Sequence, residues 1–436
     1  MANALKTQKD ILEKLNIHQL NPMQEEAIGV ICANTNTILL SPTGTGKTLA
    51  FLLPIIEILD PNLPEIQALI LVPSRELALQ IEQVIREMGS GYKVNAVYGG
   101  RAMAKDKTEL KHAPTILIGT PGRISDHIDN ERITTKHIKT LILDEFDKSL
   151  EVGFEDEMKF ILGALPAVRK RILTSATESV RIPAFVRLQQ PKTVNYLGGV
   201  ASKLTLKTVL ASQKNKLATL FDLIQEEEHQ SGIVFCNLRE SILKVSRFLD
   251  KNNIVHGCFH GDMEQKERER TLIKFRNGSY KIIIATDLAA RGIDIPELKY
   301  IVHLELPLQE KEFTHRNGRT ARVNAKGTAY VLQWEKEVLP DFIKDSSIVT
   351  LGKKAKVKPP YWQTLLLSGG RKDKISKGDI AGLFFKQGNI HPDQLGVIEL
   401  KQDCTFVAVP VEIAQTLATH LNKTKLKQKK VRITLI

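Results

Sequence analysis

Between residue 35 and about residue 196, short apolar runs alternate with longer segments whose apolar residues recur every three or four positions. The runs ALILV and TLILDE have the length of buried strands, whereas LALQIEQVIREM has the period of an amphipathic helix. This alternation is typical of βαβ units that share one parallel sheet. It stops at QQPKTVNYLGGVASKL and resumes with GIVFCN, KIIIATD and KYIVHLE. The pattern therefore predicts two α/β domains joined by a linker near residues 195–208.

A second interruption, LGKKAKVKPPYW, places Pro359 and Pro360 after a lysine cluster, where no regular element can continue. The segments beyond it predict a ferredoxin-like βαββαβ domain of about 75 residues. We expect few contacts to cross this proline boundary. The fold class is α/β with a small α+β domain at the end, and the predicted domains are residues 1–200, 201–350 and 359–436.

The positive charge of the chain is concentrated near its end. The formal net charge is +13, and residues 351–436 hold 16 Lys and Arg against 6 Asp and Glu, a surplus of 10. Nucleic acid is favoured over membrane as the partner because the basic stretches lack an amphipathic aromatic pattern, and a merely solvated basic rim is the alternative. With no long apolar run, no leader-like segment and four widely spaced cysteines, we expect a cytoplasmic protein with no membrane partner.

The run NTILL leads into SPTGTGKT, which has the form of a phosphate-binding loop between a strand and a helix. Its glycines let backbone N–H groups turn toward phosphate oxygens, while Lys47 reaches the β and γ phosphates and Thr48 binds Mg²⁺. Ser41 stands where the first glycine of this motif is usual, and a chance Gly/Thr turn is the alternative reading. The predicted nucleotide-binding residues of this loop are Thr43, Gly44, Thr45, Gly46, Lys47 and Thr48.

The segment LILDEFD places Asp144 and Glu145 at the end of a predicted buried strand, where open α/β sheets bind ligands. Asp144 would hold Mg²⁺ through water, and Glu145 would orient and deprotonate the water that attacks the γ phosphate. Taken alone, such an acidic pair is more often a helix cap. Together with the phosphate loop it predicts hydrolysis of ATP with Mg²⁺.

These elements belong to an ordered series that continues with PSRELALQ, YGG, TPGR, SAT, HGD, ATDLAARGIDIP and HRNGRTAR. Over residues 15–330 the series resembles that of the DEAD-box RNA helicases. The resemblance implies two RecA-like domains, RNA-dependent ATP hydrolysis and local unwinding of short RNA duplexes. A nucleotide-gated RNA clamp and a DNA helicase are the alternatives. The complete set of Lys47, Glu145 and Arg322 disfavours the clamp, and PSRELA and HRNGRTAR disfavour the DNA helicase.

The resemblance also implies roles for single residues. Arg319 and Arg322 are similar to arginine fingers at the γ phosphate, Asp294 to a residue near the ribose, and Gln24 to an adenine-reading glutamine, although the usual upstream aromatic is missing. Ser175, Thr177 and His315 would couple the ATP site to the domain interface. An RNA track that binds sugar and phosphate without reading sequence is implied for Arg75, Gly100, Thr120 and Arg123, and for Gln265, Arg268, Thr286 and Arg291.

Three positions depart from the family pattern. Phe146 replaces an alanine in DEFD, and Asn317 and Ala321 replace Ile and Gly in HRNGRTAR. Because Phe146 lies between the reactive carboxylates in sequence, we expect it to alter packing and leave the chemistry intact.

The stretch TLLLSGGRKDKISKGDIAGLFF resembles the C-terminal domain of the bacterial DbpA helicases, which binds a hairpin of large-subunit (23S) ribosomal RNA. The predicted sheet is a poor stacking platform, since Phe406 is matched by Cys404 rather than by a second aromatic. Two cationic clusters offer another RNA surface. We expect a monomer whose partners are this rRNA hairpin and pre-ribosomal particles. The clusters comprise Arg371, Lys372, Lys374 and Lys377, and Lys423, Lys425, Lys427, Lys429 and Lys430.

Overall fold

The structure is a computed structural model, and it describes residues 6–42, 44–151, 153–177, 182–198, 204–227, 230–287, 298–320, 326–343, 346–352 and 357–436. These residues fall into two compact units that divide between Ser202 and Lys203. The first unit is one α/β domain, and the second holds another α/β domain and a small C-terminal domain. The predicted fold class is confirmed, while the predicted domain limits stay predictions. No helix in the described ranges is long and apolar enough to cross a membrane.

The first domain is built on a sheet of seven parallel strands with helices on both faces. Its strands are β1 (Asn36–Leu40), β2 (Ala68–Leu71), β3 (Val94–Val97), β4 (Ile116–Gly119), β5 (Thr140–Leu143), β6 (Lys170–Ser175) and β7 (Lys192–Asn195), in the order β3-β4-β2-β5-β6-β1-β7. Its helices are α1 (Gln8–Lys14), α2 (Pro22–Ala33), α3 (Lys47–Ile58), α4 (Arg75–Met88), α5 (Met103–Leu110), α6 (Pro121–Asp129), α7 (Phe146–Glu151) and α8 (Glu155–Gly163).

Both faces of this sheet are buried along β1 to β6, because each of these strands contributes alternate residues to two apolar clusters. In β2, Ala68 and Ile70 belong to one cluster, while Leu69 and Leu71 belong to the other. The near-continuous apolar runs of the sequence follow from this two-sided burial.

The second domain repeats the plan with another seven-stranded parallel sheet. Its strands are β8 (Leu204–Ala211), β9 (Gly232–Cys236), β10 (His256–Phe259), β11 (Ile282–Thr286), β12 (Tyr300–His303), β13 (Gly327–Trp334) and β14 (Ser347–Ile348), in the order β10-β11-β9-β12-β13-β8-β14. The helices described are α9 (Leu217–Glu226), α10 (Arg239–Lys251), α11 (Gln265–Arg276) and α12 (Glu310–Asn317).

The C-terminal domain has the predicted βαββαβ order around a four-stranded antiparallel sheet, β16-β17-β15-β20. A two-stranded hairpin, β18–β19, lies just before the last strand and carries part of the second cationic cluster. The elements are β15 (Trp362–Leu367), α13 (Lys377–Lys386), β16 (Ile398–Leu400), β17 (Thr405–Pro410), α14 (Val411–His420), β18 (Lys425–Leu426), β19 (Lys429–Lys430) and β20 (Ile433–Leu435).

Buried side chains bond across the proline boundary within the second unit. Asn277, which follows α11, donates from Nδ2 to Thr364 Oγ1 of β15 at 2.8 Å, and the Ser279 hydroxyl lies 2.8 Å from the same oxygen. All three residues are buried. Buried hydrogen bonds therefore cross this boundary, and nothing in the sequence indicates them.

A hydrogen bond between the buried His303 and the half-buried Asn317 explains one departure from the family pattern. Burial, reinforced by the charge of Arg316, lowers the pKa of His303 to about 3, so its imidazole is neutral at physiological pH. The ring lies between Phe235 and Phe313, and its Nε2 is 3.0 Å from Asn317 Oδ1. Since the amide oxygen can only accept, Nε2–H is the donor. Asn317 thus supplies an acceptor that the usual isoleucine lacks.

We predict that Asn317→Ile lowers the free energy of unfolding of the second domain by about 1–3 kcal/mol, because a buried N–H loses its acceptor. Calorimetric or urea unfolding measures the change. The double variant His303→Phe/Asn317→Ile is the control, and it should recover much of the loss because both polar groups are then gone. Equal stability of the single variant and the parent would show that the bond contributes nothing.

Candidate nucleotide and RNA sites

Three sequence motifs meet at the carboxyl edge of the first sheet. The phosphate loop follows β1, Ser175 ends β6, and Asp144 follows β5. The strands β5, β6 and β1 are neighbours in the sheet. Because parallel strands all end at one edge, residues 41–48, 144–147 and 175–177 come together where open α/β sheets bind ligands.

The phosphate loop is closed by a contact between Gln24 and Gly46. Gly46 has a φ of +87°, and a Cβ on it would lie 2.4 Å from Gln24 Nε2, so only glycine fits. Gln24 Nε2 donates to Gly46 O at 3.3 Å, while its Oε1 accepts from Asn21 N at 3.0 Å. Asn21 Nδ2 donates to Thr45 O at 3.0 Å. The start of α2 therefore holds the loop, and contact of Gln24 with adenine stays a prediction.

Hydrogen bonds between residues of the phosphate loop, beginning with Ser41, stabilise its conformation. The Ser41 hydroxyl donates to Thr45 Oγ1 at 2.8 Å, and the Thr45 hydroxyl donates to Pro42 O at 2.9 Å. Lys47, the first residue of α3, donates from Nζ to the carbonyl oxygens of Ser41 and Pro42. Burial lowers the pKa of Lys47 to about 8, although the nearby carboxylates of Asp144 and Glu145 oppose this shift. Gly44 and Thr48 belong to the same loop and are among the described residues, whereas Thr43 is not.

Asp144 is a buried carboxyl held through one oxygen. The Thr174 hydroxyl donates to Oδ1, and Glu145 N donates to the same oxygen at 3.1 Å. Burial and the charge of Glu145 raise the pKa of Asp144 to about 6. Both hydrogen bonds described for this carboxyl go to Oδ1, so Oδ2 is available to a metal-bound water.

Glu145 has a left-handed backbone and a buried charge partner. Its φ is +48°, a conformation that costs a residue with a side chain about 1–3 kcal/mol and that often marks functional sites. Its Oε2 lies 2.8 Å from Nζ of Lys148, whose side chain is fully buried. Sequence reasoning missed Lys148, since a lysine in a polar helical stretch carries no sign of burial. The Phe146 side chain is buried in an apolar cluster with Leu143 and Leu173.

Hydrogen bonds join the SAT segment to the DEFD segment. Ser175 Oγ donates to Thr177 O at 2.7 Å and accepts from Thr177 N at 3.0 Å. The Thr177 hydroxyl donates to Asp147 Oδ2 at 3.1 Å. Displacement of either segment would therefore break or strain the hydrogen bond between Thr177 and Asp147.

The RNA-track residues predicted in the first domain lie along the other half of the same sheet edge. Arg75 begins α4 after β2, Gly100 follows β3, and Thr120 follows β4 as the N-cap of α6. A Cβ on Gly100 would lie 2.6 Å from Arg75 Nη1, so the guanidinium packs on the glycine, whose φ of +80° strains any residue with a side chain. The strand order β3-β4-β2 makes the three segments neighbours.

The fourth of these residues, Arg123, is held by a buried charge cluster that the sequence did not reveal. Its Nε donates to Tyr98 O at 3.1 Å and lies 3.4 Å from Asp106 Oδ2, and its Nη2 donates to Arg101 O. Asp106 is fully buried, with Arg101 Nη1 at 3.2 Å and His127 Nε2 at 3.3 Å. Arg123 thus shapes the loop after β3 as well as the start of α6.

In the second domain, three predicted RNA-track residues lie at the carboxyl ends of two adjacent strands. Gln265 and Arg268 occupy the first turn of α11, which follows β10, and Thr286 ends β11. Arg268 is buried, with its guanidinium 4.7 Å from the centre of the Phe259 ring.

Residues 315–320 of the segment HRNGRTAR form the end of α12 and the turn after it. His315 and Arg319 are both buried. Arg316, which sequence reasoning left without a role, pairs with Asp287 through two bonds of 2.6 and 2.7 Å. Arg291, Asp294 and Arg322 lie outside the described residues.

The two cationic clusters of the C-terminal domain form one surface, the basic rim, comprising residues 371–377 and 423–430. Lys427 Nζ lies 2.7 Å from Asp379 Oδ2, and Lys429 Nζ lies 2.8 Å from Asp373 Oδ2. Hydrogen bonds from Lys427 and Ser376 lower the pKa of Asp379 to about 2. The hairpin β18–β19 is thereby fixed against the start of α13, and Arg371, Lys372 and Lys374 stay exposed.

The donor set near the phosphate loop suits Mg²⁺. In the described part of the chain, no group of three or more His, Cys, Asp or Glu could enclose a metal ion. Mg²⁺ needs no such enclosure, because it is commonly held by one or two carboxylates, waters and the phosphates of the substrate. Asp144 and the Thr48 hydroxyl provide hard oxygen ligands of that kind.

Three family models match the chain in succession. The DEAD/DEAH box helicase model matches residues 21–184, the helicase conserved C-terminal domain matches residues 215–324, and the DbpA RNA binding domain matches residues 364–435. The first two matches lie within the two parallel-sheet domains, and the third lies within the small antiparallel domain.

Full-length relatives and solved structures agree with these matches. The chain is 30% identical over 446 residues to the ATP-dependent RNA helicase DbpA of Escherichia coli (strain K12), across 98% of this chain and 96% of that protein. It is 30% identical to DbpA of Bacillus subtilis (strain 168), across 97% and 96%. S. cerevisiae Dbp5 bound to RNA and ADP BeF3 is 26% identical, with a TM-score of 0.67 over 76% of this chain and 88% of that one. This chain is a member of the DEAD-box family of ATP-dependent RNA helicases.

Proposed function

We propose that this enzyme uses ATP hydrolysis to separate short RNA duplexes, and that its C-terminal domain directs it to a hairpin of large-subunit (23S) rRNA during ribosome assembly in the cytoplasm. The observation that carries the proposal is the division of one sheet edge. The phosphate loop, Asp144 and Ser175 follow β1, β5 and β6, and the RNA-track residues follow β2, β3 and β4. The groups proposed to bind nucleotide and those proposed to bind RNA would thus share one sheet.

At the nucleotide end, the loop of residues 43–48 would bind the phosphates of ATP, with Lys47 on the β and γ phosphates. Asp144 and Thr48 would hold Mg²⁺, which supplies charge neutralisation at the phosphates when bound. Glu145 would act as the general base for the attacking water. Arg319 and Arg322 would stabilise the charge on the transferred phosphoryl group, and Asp294 and Gln24 would contact the nucleoside.

Coupling would run through the hydrogen bonds that join the SAT and DEFD segments. Thr177 bonds to Asp147, only two residues from Glu145, so a shift of the SAT segment on RNA binding would move the base. His315 of the second domain would contribute to the same coupling.

The rRNA target is supported by the match to the DbpA RNA binding domain and by the basic rim. The rim offers exposed cations on a fixed framework, which suits recognition of a structured RNA by shape and phosphate positions. The protein would act as a monomer, and pre-ribosomal particles would be its larger partner.

ATPase stimulation by three nucleic acids tests the proposal. A large-subunit rRNA fragment that contains the target hairpin should stimulate hydrolysis at lower concentration than an unrelated RNA duplex, and DNA should have little effect. Equal stimulation by both RNAs would contradict the proposal that the enzyme is directed to an rRNA hairpin. Stimulation by DNA would favour a DNA helicase.

Replacement of Glu145 by glutamine should lower RNA-stimulated ATP hydrolysis by about 10²-fold or more, because the amide keeps the shape of the side chain but cannot accept the proton. ATP and RNA binding should persist, as measured by fluorescent nucleotide and RNA titrations. The control is Asp156→Asn, an exposed acid on α8. Near-normal turnover in Glu145→Gln would exclude Glu145 as the base.

Replacement of Asp106 by asparagine should raise the RNA concentration for half-maximal ATPase stimulation by roughly tenfold, because Arg123 loses the buried carboxylate that lies 3.4 Å from its Nε. The ATPase rate at saturating RNA should change far less. Asp129→Asn, an exposed acid at the end of α6, is the matched control. A thermal unfolding curve shows whether the variant is folded at the assay temperature. An unchanged RNA concentration for half-maximal stimulation in the folded variant would contradict the role of Asp106 in positioning Arg123.

Replacement of Lys372 by glutamate should weaken binding of the rRNA hairpin and reduce the slope of log affinity against log salt by about 1, as expected for loss of one phosphate contact. The control is Lys386→Glu, which makes the same charge change at the other end of α13. Affinities come from fluorescence anisotropy at several salt concentrations. If both variants lose affinity equally, the effect is one of net charge and the rim is not a specific surface.

A further inference from the structure

Thr174 places a buried hydroxyl beside the DEFD segment. It lies near the carboxyl end of β6, between the core residue Leu173 and Ser175 of the SAT segment, and its side chain is fully buried. A hydroxyl that is removed from water costs free energy unless protein groups replace its hydrogen bonds with water. The partners of this hydroxyl are Asp144 and Glu145, two adjacent residues of the DEFD segment.

The hydroxyl contacts both of these residues at once. It donates to Asp144 Oδ1, and it accepts from the backbone N–H of Glu145, whose nitrogen lies 3.2 Å from Thr174 Oγ1. The same N–H is shared with Asp144 Oδ1 at 3.1 Å. The hydroxyl, the carboxylate oxygen and the N–H therefore form a closed triangle of hydrogen bonds.

The sheet holds both sides of this triangle in place. The strand β6 lies between β5 and β1, and Thr174 is the β-sheet partner of Leu39. On the opposite side, Asp144 donates its own N–H to Leu71 O of β2 at 3.0 Å. A β-branched side chain such as threonine also has a restricted choice of χ1. The hydroxyl is therefore presented to the DEFD segment from a fixed position.

The triangle sets the conformation of both acids. Because Asp144 accepts its two described hydrogen bonds through Oδ1, the plane of its carboxyl is held while Oδ2 is left to a metal-bound water. Glu145 has a left-handed φ of +48°, and its N–H is captured by the Thr174 hydroxyl and Asp144 Oδ1. A strained backbone of this kind persists only where neighbouring groups hold it.

We propose that Thr174 is a positioning residue for ATP hydrolysis, and that its hydroxyl orients the Asp144 carboxyl toward Mg²⁺ and holds the backbone from which Glu145 extends. This inference rests on the proposed function of the two acids. Groups that hold a metal-binding side chain commonly change metal affinity or activity by about 10–100-fold when they are removed. Since Thr174 directly precedes Ser175, the same hydroxyl also ties the SAT segment to both acids.

Mg²⁺-dependent nucleotide binding tests this role without turnover. The affinity of the full chain for a fluorescent, non-hydrolysable ATP analogue is measured with Mg²⁺ and with EDTA. Thr174→Val removes the hydroxyl and keeps the branched shape, and it should reduce the gain in affinity that Mg²⁺ provides by about tenfold. The affinity in EDTA should equal that of the parent. Thr174→Ser keeps the hydroxyl and should retain most of the gain.

Thr37→Val is the matched control. Thr37 is a buried threonine of the neighbouring strand β1, and its hydroxyl has no hydrogen-bond partner among the described residues. The same substitution there should leave the Mg²⁺ gain unchanged. If Thr37→Val causes the loss expected of Thr174→Val, or if Thr174→Ser loses as much as Thr174→Val, the inference is overturned. Thr174→Ala, which also removes the hydroxyl, takes the place of Thr174→Val if thermal unfolding shows that variant to be unfolded.

Steady-state hydrolysis shows whether Glu145 is displaced as well. At saturating Mg²⁺, ATP and RNA, Thr174→Val should lower kcat by on the order of tenfold, because misplacement of a reacting group is costly. The RNA concentration for half-maximal stimulation should stay at the parent value, since the RNA track is not touched. A parental kcat in Thr174→Val would overturn the role of the hydroxyl in holding Glu145.

Asp144→Asn separates failure of this inference from failure of the proposed function, because it should remove the Mg²⁺ gain whatever Thr174 does. If Asp144→Asn loses the gain and Thr174→Val keeps it, Thr174 is not a positioning residue and the proposed function stands. If Asp144→Asn also keeps the gain, the assignment of Asp144 to Mg²⁺ is wrong, and the role of Thr174 is overturned with it.

Discussion

Every proposed chemical group of the two ATPase domains depends on the parallel pairing of their strands. A parallel sheet sends each strand end to the same edge, and each strand end releases the chain into a loop or a helix N-terminus with free N–H groups. In the first domain this puts the phosphate loop beside DEFD and SAT, with the track residues Arg75, Gly100 and Thr120 farther along the edge. An antiparallel strand in the middle would have carried one of these segments to the far side.

Burial of charge is the second constraint, and the molecule meets it in different ways at different places. Asp144 is buried beside the half-buried Lys47, and loss of solvent raises the pKa of Asp144 to about 6 and lowers that of Lys47 to about 8. Asp106 instead receives Arg101, Arg123 and His127. The arrangement of Asp144 and Lys47 suits groups that bind a ligand, since a metal ion would supply positive charge to Asp144 and a nucleotide would supply negative charge to Lys47. The arrangement around Asp106 is complete without a ligand, as expected of a framework.

The parts that could be predicted from the sequence are those in which residue type and local order decide the outcome. SPTGTGKT and LILDEFD could be recognised as site motifs because an apolar run predicts a strand before each reactive segment. Asp106, Lys148 and the Arg276–Glu399 pair could not be found in this way, because each depends on a partner brought close by packing. A charged residue in a polar helix looks the same in sequence whether it faces water or the interior.

The contacts between the C-terminal domain and the second ATPase domain limit how freely the C-terminal domain can be exchanged in evolution. A tail on a flexible linker can be moved to another enzyme without further change. This domain could not, because its transfer would leave Thr364 without Asn277 and Ser279, and Glu399 and Lys401 without Arg276 and Glu269. A new host would have to supply a helix end of the same shape and charge, so the two domains are expected to have been inherited and altered together.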